Sequence, residues 1–185
     1  MALPAYDISA LSFLILEDNL LSQRLVKSIL HSFRLREMHM VEDGVSGMRL
    51  LEHTDVDIIL CDFDMNLMNG IEFIKSVRHS ENDKIKVIPI IMLTGYTEHH
   101  RVVNALNSGV NEFLTKPVVP LTLYKRIVSI IDHPRTFIKS DNFMGPDRRR
   151  RKAAYSGEER RGVAREPEPQ EAEEAELANS GMETD

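Results

Sequence analysis

Five short apolar segments alternate with five amphipathic segments between residues 12 and 131. The apolar segments have the length and the β-favouring composition of strands, at 12–16, 38–41, 58–61, 87–93 and 112–114. The amphipathic segments repeat apolar residues at helical spacing, at 20–30, 45–53, 71–77, 99–108 and 121–131. Because nearly continuous apolar strands are typical of a sheet covered on both faces, the alternation predicts a doubly wound parallel α/β sheet of the (βα)5 type.

Polar residues follow four of the predicted strands at their carboxyl ends. They are Glu17 and Asp18 after the first strand, Asp62 after the third, Thr94 after the fourth and Lys116 after the fifth. Taken singly, each has an ordinary explanation as a helix cap, a loop acid, a turn residue or a surface charge. A parallel sheet, however, brings the carboxyl ends of its strands to one edge, where open α/β sheets bind ligands. The sequence therefore predicts one site that contains all five residues.

The predicted site has the composition of a phosphoryl-acceptor site. Three neighbouring carboxylates raise one another's pKa unless a cation neutralises them, and carboxylate oxygens are the ligands that Mg²⁺ prefers. A metal ion and a lysine ammonium offset the charge on a transferring phosphoryl group, and a threonine hydroxyl can donate a hydrogen bond to it. We therefore expect Asp62 to accept the phosphoryl group, with Mg²⁺ as the cofactor.

This ordered set of residues resembles the receiver domain of bacterial two-component response regulators, as in the chemotaxis regulators. The resemblance covers residues 10–134 and implies the flavodoxin-like strand order 2-1-3-4-5. The matching residues are Glu17-Asp18, Asp62 with Met65, Met68 and Gly70 after it, Thr94-Gly95 and Lys116-Pro117.

The resemblance also implies a role for each acid. Asp62 is the phosphoacceptor and a metal ligand. Asp18 and the backbone carbonyl of Asp64 are further metal ligands, and Glu17 holds the metal through water.

Two more residues form the switch that the resemblance implies. The Thr94 hydroxyl turns toward the phosphoryl group and the Phe113 ring rotates inward behind it, which changes the surface of the fourth helix and the fifth strand. A downstream protein is expected to bind that surface. The Lys116-Pro117 peptide bond is expected to be cis, a state that only a bond before proline adopts readily.

One position departs from the family pattern. The family usually has proline after the methionine that corresponds to Met65, and this chain has Asn66. Replacing that proline is expected to loosen the turn. Asp64 and Tyr96 occupy positions that set the lifetime of the phosphoryl group in related proteins.

The resemblance implies a single-domain response regulator that a histidine kinase or a phosphotransfer protein phosphorylates, and that is not an enzyme with a turnover product. One alternative is a Mg²⁺-dependent phosphatase or phosphotransferase that forms an aspartyl phosphate, with Asp64 as its second acid. The short connections leave no room for the substrate cap of such an enzyme. Another alternative is a protein that acts through its tail independently of phosphorylation, which the intact set of acids disfavours.

We expect a cytoplasmic protein without membrane insertion. The N-terminus lacks a basic region followed by a long apolar one, and the apolar runs are no longer than strands. The single cysteine, Cys61, lies in such a run, which predicts a buried thiol in a reducing compartment.

The C-terminal residues separate by charge into a basic linker at 135–165 and an acidic, disordered tail at 166–185. Residues 136–165 contain 9 basic and 4 acidic residues, a net of +5, whereas residues 166–185 contain 0 and 8, a net of −8.

The linker repeats the pattern aromatic, any, Gly, any, acid, Arg, Arg, at 143–149 and 155–161. Because arginine and aromatic side chains bind phosphates and stack on bases, we expect an anionic ligand, and the pattern loosely resembles receivers whose arginine-rich extension binds cyclic di-GMP. An acidic protein surface is a further candidate partner, and nucleic acid is a less favoured one. The candidate ligand-binding residues are Phe143, Arg148, Arg149, Tyr155, Arg160 and Arg161.

Overall fold

A computed structural model of the chain describes residues 6–95, 106–140 and 143–147. Five strands form the main sheet: β1 (Ser12–Leu16), β2 (Glu37–Val41), β3 (Ile58–Asp62), β4 (Ile90–Thr94) and β5 (Glu112–Thr115). The helices are α1 (Leu20–Ser32), α2 (Gly44–Leu51), α3 (Gly70–Arg78), α4 (Asp83–Lys86) and α5 (Pro120–Asp132). Two further strands, β6 (Phe137–Ser140) and β7 (Phe143–Pro146), pair with each other.

The five strands of the main sheet are parallel and have the order β2-β1-β3-β4-β5, which confirms the predicted flavodoxin-like order. Successive side chains of β1 point to opposite faces of the sheet. Phe13 and Ile15 pack in the core with α1 and α5, and Leu14 and Leu16 pack in the core with α2 and α3. Because helices cover both faces, every residue of β1 is buried.

The fourth strand is shorter than predicted. Residues 87 to 93 read as one apolar run, but the strand begins at Ile90 because Val87 terminates the one-turn helix α4, which the sequence analysis missed. Pro89 cannot donate a ladder hydrogen bond and lies just before the strand. Its carbonyl still accepts a hydrogen bond from the N–H of Ile59 at 2.9 Å, so the proline is accommodated at the start of the sheet.

Most of the helix predicted at 99–108 lies outside the described residues. Its last part is visible as helical backbone at Leu106 and Asn107, and the chain then turns at Gly109 with a φ of 99°. That φ lies in the left-handed region that glycine tolerates best. None of the helices in the described ranges has the length and apolar character needed to cross a bilayer.

The strands β6 and β7 lie beyond the predicted domain boundary at residue 134. They form an antiparallel pair in the segment that was predicted to be linker, and the N–H of Asp147 closes the pair with a 2.8 Å hydrogen bond to the Thr136 carbonyl. The compact unit that contains the main sheet also includes this hairpin. The high charge of 135–165 as a whole conceals the apolar residues of 137–146 in the sequence.

Arg78, at the end of α3, contacts the hairpin and the backbone that precedes β5. Its side chain is only 1% exposed, and the guanidinium lies 4.9 Å from the centre of the Phe137 ring. The guanidinium donates hydrogen bonds of 2.7 to 3.0 Å to the carbonyls of Gly109, Lys86 and Ile88 and to Asn111 Oδ1. Burial lowers the pKa of Arg78 to about 9. A buried cation held by this many neutral acceptors fixes α3, α4 and the start of β5 relative to one another.

Two close packing contacts add to this anchor. A Cβ atom on Gly145 of β7 would lie 2.8 Å from the Cα of Gly109, so the two backbones can approach only because both residues are glycine. Arg135 donates a 3.1 Å hydrogen bond to the buried Glu112 at the start of β5. The hairpin therefore packs against the segment that precedes β5.

Replacing Arg78 with methionine is expected to lower the free energy of unfolding by about 3 kcal/mol, because the substitution leaves several buried carbonyls without a donor. Lys75→Met changes an exposed basic residue on the same helix and is expected to change that free energy by at most about 0.5 kcal/mol. Urea-induced unfolding of both variants measures the difference. Equal effects of the two substitutions would contradict a structural role for Arg78.

Candidate functional site at the carboxyl edge of the sheet

Three acids converge at the carboxyl ends of two adjacent strands. Leu16 of β1 is paired with Cys61 of β3, so the residues that follow them, Glu17 and Asp62, are neighbours. One carboxylate oxygen from each of Glu17, Asp18 and Asp62 lies within 4.8 Å of the others. Glu17 is fully buried, Asp62 is 6% exposed and Asp18 is half-buried.

Lys116 brings one positive charge to these acids from the loop after β5. Its Nζ lies 2.6 Å from Glu17 Oε2 and 2.9 Å from Asp62 Oδ2. Burial raises the pKa of Glu17 and of Asp62, and the lysine only partly offsets this effect. Burial lowers the pKa of Lys116, but its hydrogen bonds to the two acids and their negative charges together outweigh that effect, and the net shift is upward. When all three acids are ionised, one ammonium leaves two negative charges uncompensated.

The loop between β3 and α3 folds back on Asp62 in a way that requires glycine. A Cβ atom on Gly70 would lie 2.2 Å from the carbonyl oxygen of Asp62, a distance that no side chain can occupy. The N–H of Gly70 donates a 3.0 Å hydrogen bond to the Phe63 carbonyl, and the N–H of Phe63 donates at 2.8 Å to Asp62 Oδ1. Asn69 and Glu72 form a capping box that begins α3. The carboxylate of Asp62 is therefore held by its own loop on one side and by Lys116 on the other.

Asn66 is a site residue that the sequence analysis did not identify. It was expected only to loosen the turn after Met65. Instead, its side-chain amide crosses the edge of the sheet and donates a 2.9 Å hydrogen bond to Asp18 Oδ2. The replacement of the usual proline by a residue with an amide donor was the available signal, but the partner could not be read from the sequence because it lies 48 positions away.

Of the remaining predicted residues, Thr94 lies at this edge. Thr94 ends β4 and is 5% exposed, and its carbonyl accepts a 2.8 Å hydrogen bond from the N–H of Lys116. The Lys116-Pro117 peptide bond is cis, as predicted. Phe113 is a half-buried residue of β5 that packs against the core beneath α2 and α3, and its role as a switch stays a prediction. The side chain of Asp64 is exposed, and Tyr96 lies outside the described residues.

Of the tail candidates, the structure describes Phe143 alone. Phe143 lies in β7, where its ring would come within 2.8 Å of a Cβ atom on Gly145, so the aromatic and the glycine of the first repeat pack together within the hairpin. This contact gives a structural reason for the pattern in the first repeat that does not involve a ligand. The other candidates fall beyond the residues that the structure describes: Arg148, Arg149, Tyr155, Arg160 and Arg161.

Known proteins share both the sequence pattern and the fold. A family model of the response regulator receiver domain matches residues 13–128. Chemotaxis protein CheY-3 of Vibrio cholerae is 27% identical over 122 residues, which cover 66% of this chain and 92% of that protein. A receiver domain of a signal transduction histidine kinase from Syntrophus aciditrophicus superposes with a TM-score of 0.60 at 27% identity, covering 72% of this chain and 100% of that one. The receiver domain of a sensor histidine kinase from Pseudomonas aeruginosa, solved with a magnesium ion in its active site cleft, is 30% identical with a TM-score of 0.58 and covers 64% and 94% of the two chains.

The strand order is that of a flavodoxin-like α/β protein, and three acids form a cluster at the carboxyl edge of its sheet. The match over residues 13–128 extends the identification to the family. The chain belongs to the response regulator receiver domains of two-component signalling, and its relatives include chemotaxis regulators of the CheY type.

Replacing Asp62 with asparagine is expected to raise the free energy of unfolding by about 1 kcal/mol at neutral pH in buffer free of divalent cations. The pKa of Asp62 is raised in the folded state, so its ionised form destabilises the fold above that pKa. The advantage of the variant should shrink as the pH falls and the native carboxylate becomes protonated. Urea unfolding across a pH series measures this trend, with the exposed Asp55→Asn as the control. A variant less stable than the native chain at neutral pH would contradict the expectation.

Proposed function

We propose that the chain is a response regulator in which Asp62 accepts a phosphoryl group from a histidine kinase or a phosphotransfer protein. The observation that carries the proposal is the position of Asp62, which ends β3 among two other acids with its Oδ2 2.9 Å from the ammonium of Lys116. A carboxylate of this kind combines a nucleophilic oxygen with an adjacent fixed positive charge. The membership of the receiver family supports the same role.

The acidic centre fits Mg²⁺ as the cofactor. Its oxygen ligands are of the type that Mg²⁺ prefers, they lie within 4.8 Å of one another, and their charge exceeds that of the single lysine. Asp18, Asp62 and the Asp64 carbonyl would hold the ion directly, and Glu17 would hold it through water. When bound, the ion supplies positive charge to the oxygens of the phosphoryl group. A magnesium ion occupies the active site cleft of the receiver from Pseudomonas aeruginosa.

Asp62, Lys116 and Thr94 have separate roles in the proposed phosphoryl transfer. A carboxylate oxygen of Asp62 attacks the phosphorus of a protonated phosphohistidine, so that the O–P bond forms as the P–N bond breaks and a neutral imidazole leaves. Lys116 balances the charge that spreads over the phosphoryl oxygens. The Thr94 hydroxyl, at the end of the adjacent strand, then donates to one of those oxygens. Asp62 is only 6% exposed, and this burial limits the access of water to the product.

The proposed output is a protein–protein contact rather than a turnover product. Thr94 and Phe113 lie on the paired strands β4 and β5, so a movement of the threonine can be transmitted to the aromatic ring through a short path. The surface formed by β5 and the helix predicted at 99–108 would then bind the downstream protein only after phosphorylation.

A small phosphodonor distinguishes this function from that of a phosphatase. With phosphoramidate and Mg²⁺, the native chain is expected to gain the mass of one phosphoryl group, and Asp62→Asn is expected to abolish the gain. Asp55→Asn, which changes an exposed acid near the other end of β3, should retain it. Repeated release of phosphate from a phosphomonoester that requires Asp62 would contradict the proposal and support the phosphatase alternative.

For the tail, we infer binding to an anionic ligand, of which cyclic di-GMP is the candidate. The support is the net charge of +5 at 136–165 and the repetition of the arginine pair. The full chain is expected to bind cyclic di-GMP at micromolar concentration, and the double substitution Arg160→Ala with Arg161→Ala is expected to weaken binding at least about tenfold. Absence of binding by the native chain would remove the hypothesis.

A further inference from the structure

The contact between Asn66 and Asp18 joins two loops at the acidic centre. Asn66 belongs to the loop after β3, and Asp18 is the second residue after β1. The Asn66 Nδ2 donates to Asp18 Oδ2 at 2.9 Å. The contact therefore links the two loops through their side chains.

We propose that Asn66 is a positioning residue that orients the Asp18 carboxylate for a divalent cation and thereby increases the affinity of the site for Mg²⁺. The inference rests on the proposed function, since it requires that the acidic centre binds a cation. In this proposal, Asn66 contacts neither the ion nor the phosphoryl group.

Asp18 is the acid of this centre that most needs such a contact. Glu17 is fully buried and ion-paired with Lys116, and Asp62 is held by Lys116 and by the N–H of Phe63. Asp18 is half-buried and lies beyond the last residue of β1, outside the strand ladder. A side chain in that position has several accessible rotamers, and binding a metal would have to select one of them. The hydrogen bond from Asn66 favours one Asp18 rotamer before the metal binds.

The backbone at Asn66 forms a tight turn. Its carbonyl accepts a 2.7 Å hydrogen bond from the N–H of Met68, which closes a tight turn. Leu67, between them, has a φ of 63°, a left-handed conformation that is unfavourable by roughly 1 to 2 kcal/mol for a residue with a side chain. The Leu67 side chain is 88% exposed and gains little from burial in return. This turn places the Asn66 side chain within hydrogen-bond distance of Asp18.

The amide also competes with a metal for the carboxylate. The balance between this competition and the orientation of Asp18 decides whether Asn66 raises or lowers the affinity for Mg²⁺. An ionised carboxylate has about four acceptor positions, and the amide uses one of them. The amide carries no net charge, so it leaves the excess negative charge of the centre for the cation. Outer partners that orient metal ligands typically change metal affinity by about 10- to 100-fold, and an exposed pair such as this one belongs at the lower end of that range. Orientation is therefore the larger effect.

Calorimetric titration of the full chain with MgCl2, in the absence of a phosphodonor, tests the proposal. Asn66→Ala is expected to weaken Mg²⁺ binding about tenfold with an unchanged melting temperature in metal-free buffer. Leu67→Ala alters the adjacent, solvent-exposed residue of the same turn without removing the amide, and it should change the affinity by less than about twofold.

The outcomes separate this inference from the proposed function. If the native chain binds Mg²⁺ and becomes phosphorylated on Asp62 but Asn66→Ala binds Mg²⁺ equally well or more tightly, the positioning role is wrong and the proposed function stands. If Leu67→Ala weakens binding as much as Asn66→Ala does, the effect belongs to the turn and the role of the amide is also wrong. If the native chain does not bind Mg²⁺, both the inference and the metal part of the proposed function fail.

Discussion

The crowding of three carboxylates around one lysine is the interaction on which the rest of the site depends. The sheet imposes it, because Glu17 and Asp62 follow residues that are paired between adjacent strands. The apolar strands and the helices on both faces supply the energy that holds the acids together against their repulsion. Burial raises the pKa of Glu17 and of Asp62, and Lys116 offsets only part of that effect. The centre is therefore built to receive further positive charge, and its chemistry follows from a charge imbalance that the fold maintains.

Much of this arrangement could be predicted because it depends on two repeating sequence patterns. Alternating strand-like and helix-like segments indicate a parallel sheet, and the polar residues at the strand ends then belong at one edge. The order of the strands came from the family resemblance and not from the periodicity. The partner of Asn66 could not be predicted, because the path of the loop after β3 decides which acid the amide reaches. Local sequence determines that the turn exists but does not determine what lies opposite to it.

The hairpin illustrates a different limit of sequence reasoning. Averaged over 135–165, the composition is that of a solvated chain, yet β6 and β7 form a pair that packs on Arg78 and Gly109. A segment of this size cannot bury a core of its own. It is ordered because the receiver domain already presents a surface that it can cover, and no property of the segment by itself reveals that surface. The same packing accounts for the aromatic residue and the glycine of the first repeat. The arginine residues therefore remain the candidates for binding a ligand at the tail.

Arg78 and Lys116 show why a buried charge does not by itself identify a functional site. Both are partly or fully removed from solvent, and both contact several oxygen atoms. Arg78 is 1% exposed and its guanidinium donates to neutral acceptors that fix separate parts of the backbone, so its charge is used entirely within the fold. The Lys116 side chain is 23% exposed and lies between carboxylates whose charge it does not balance. A buried cation among neutral carbonyls stabilises structure, whereas a cation among excess carboxylates at an accessible edge leaves a site that can still bind charge.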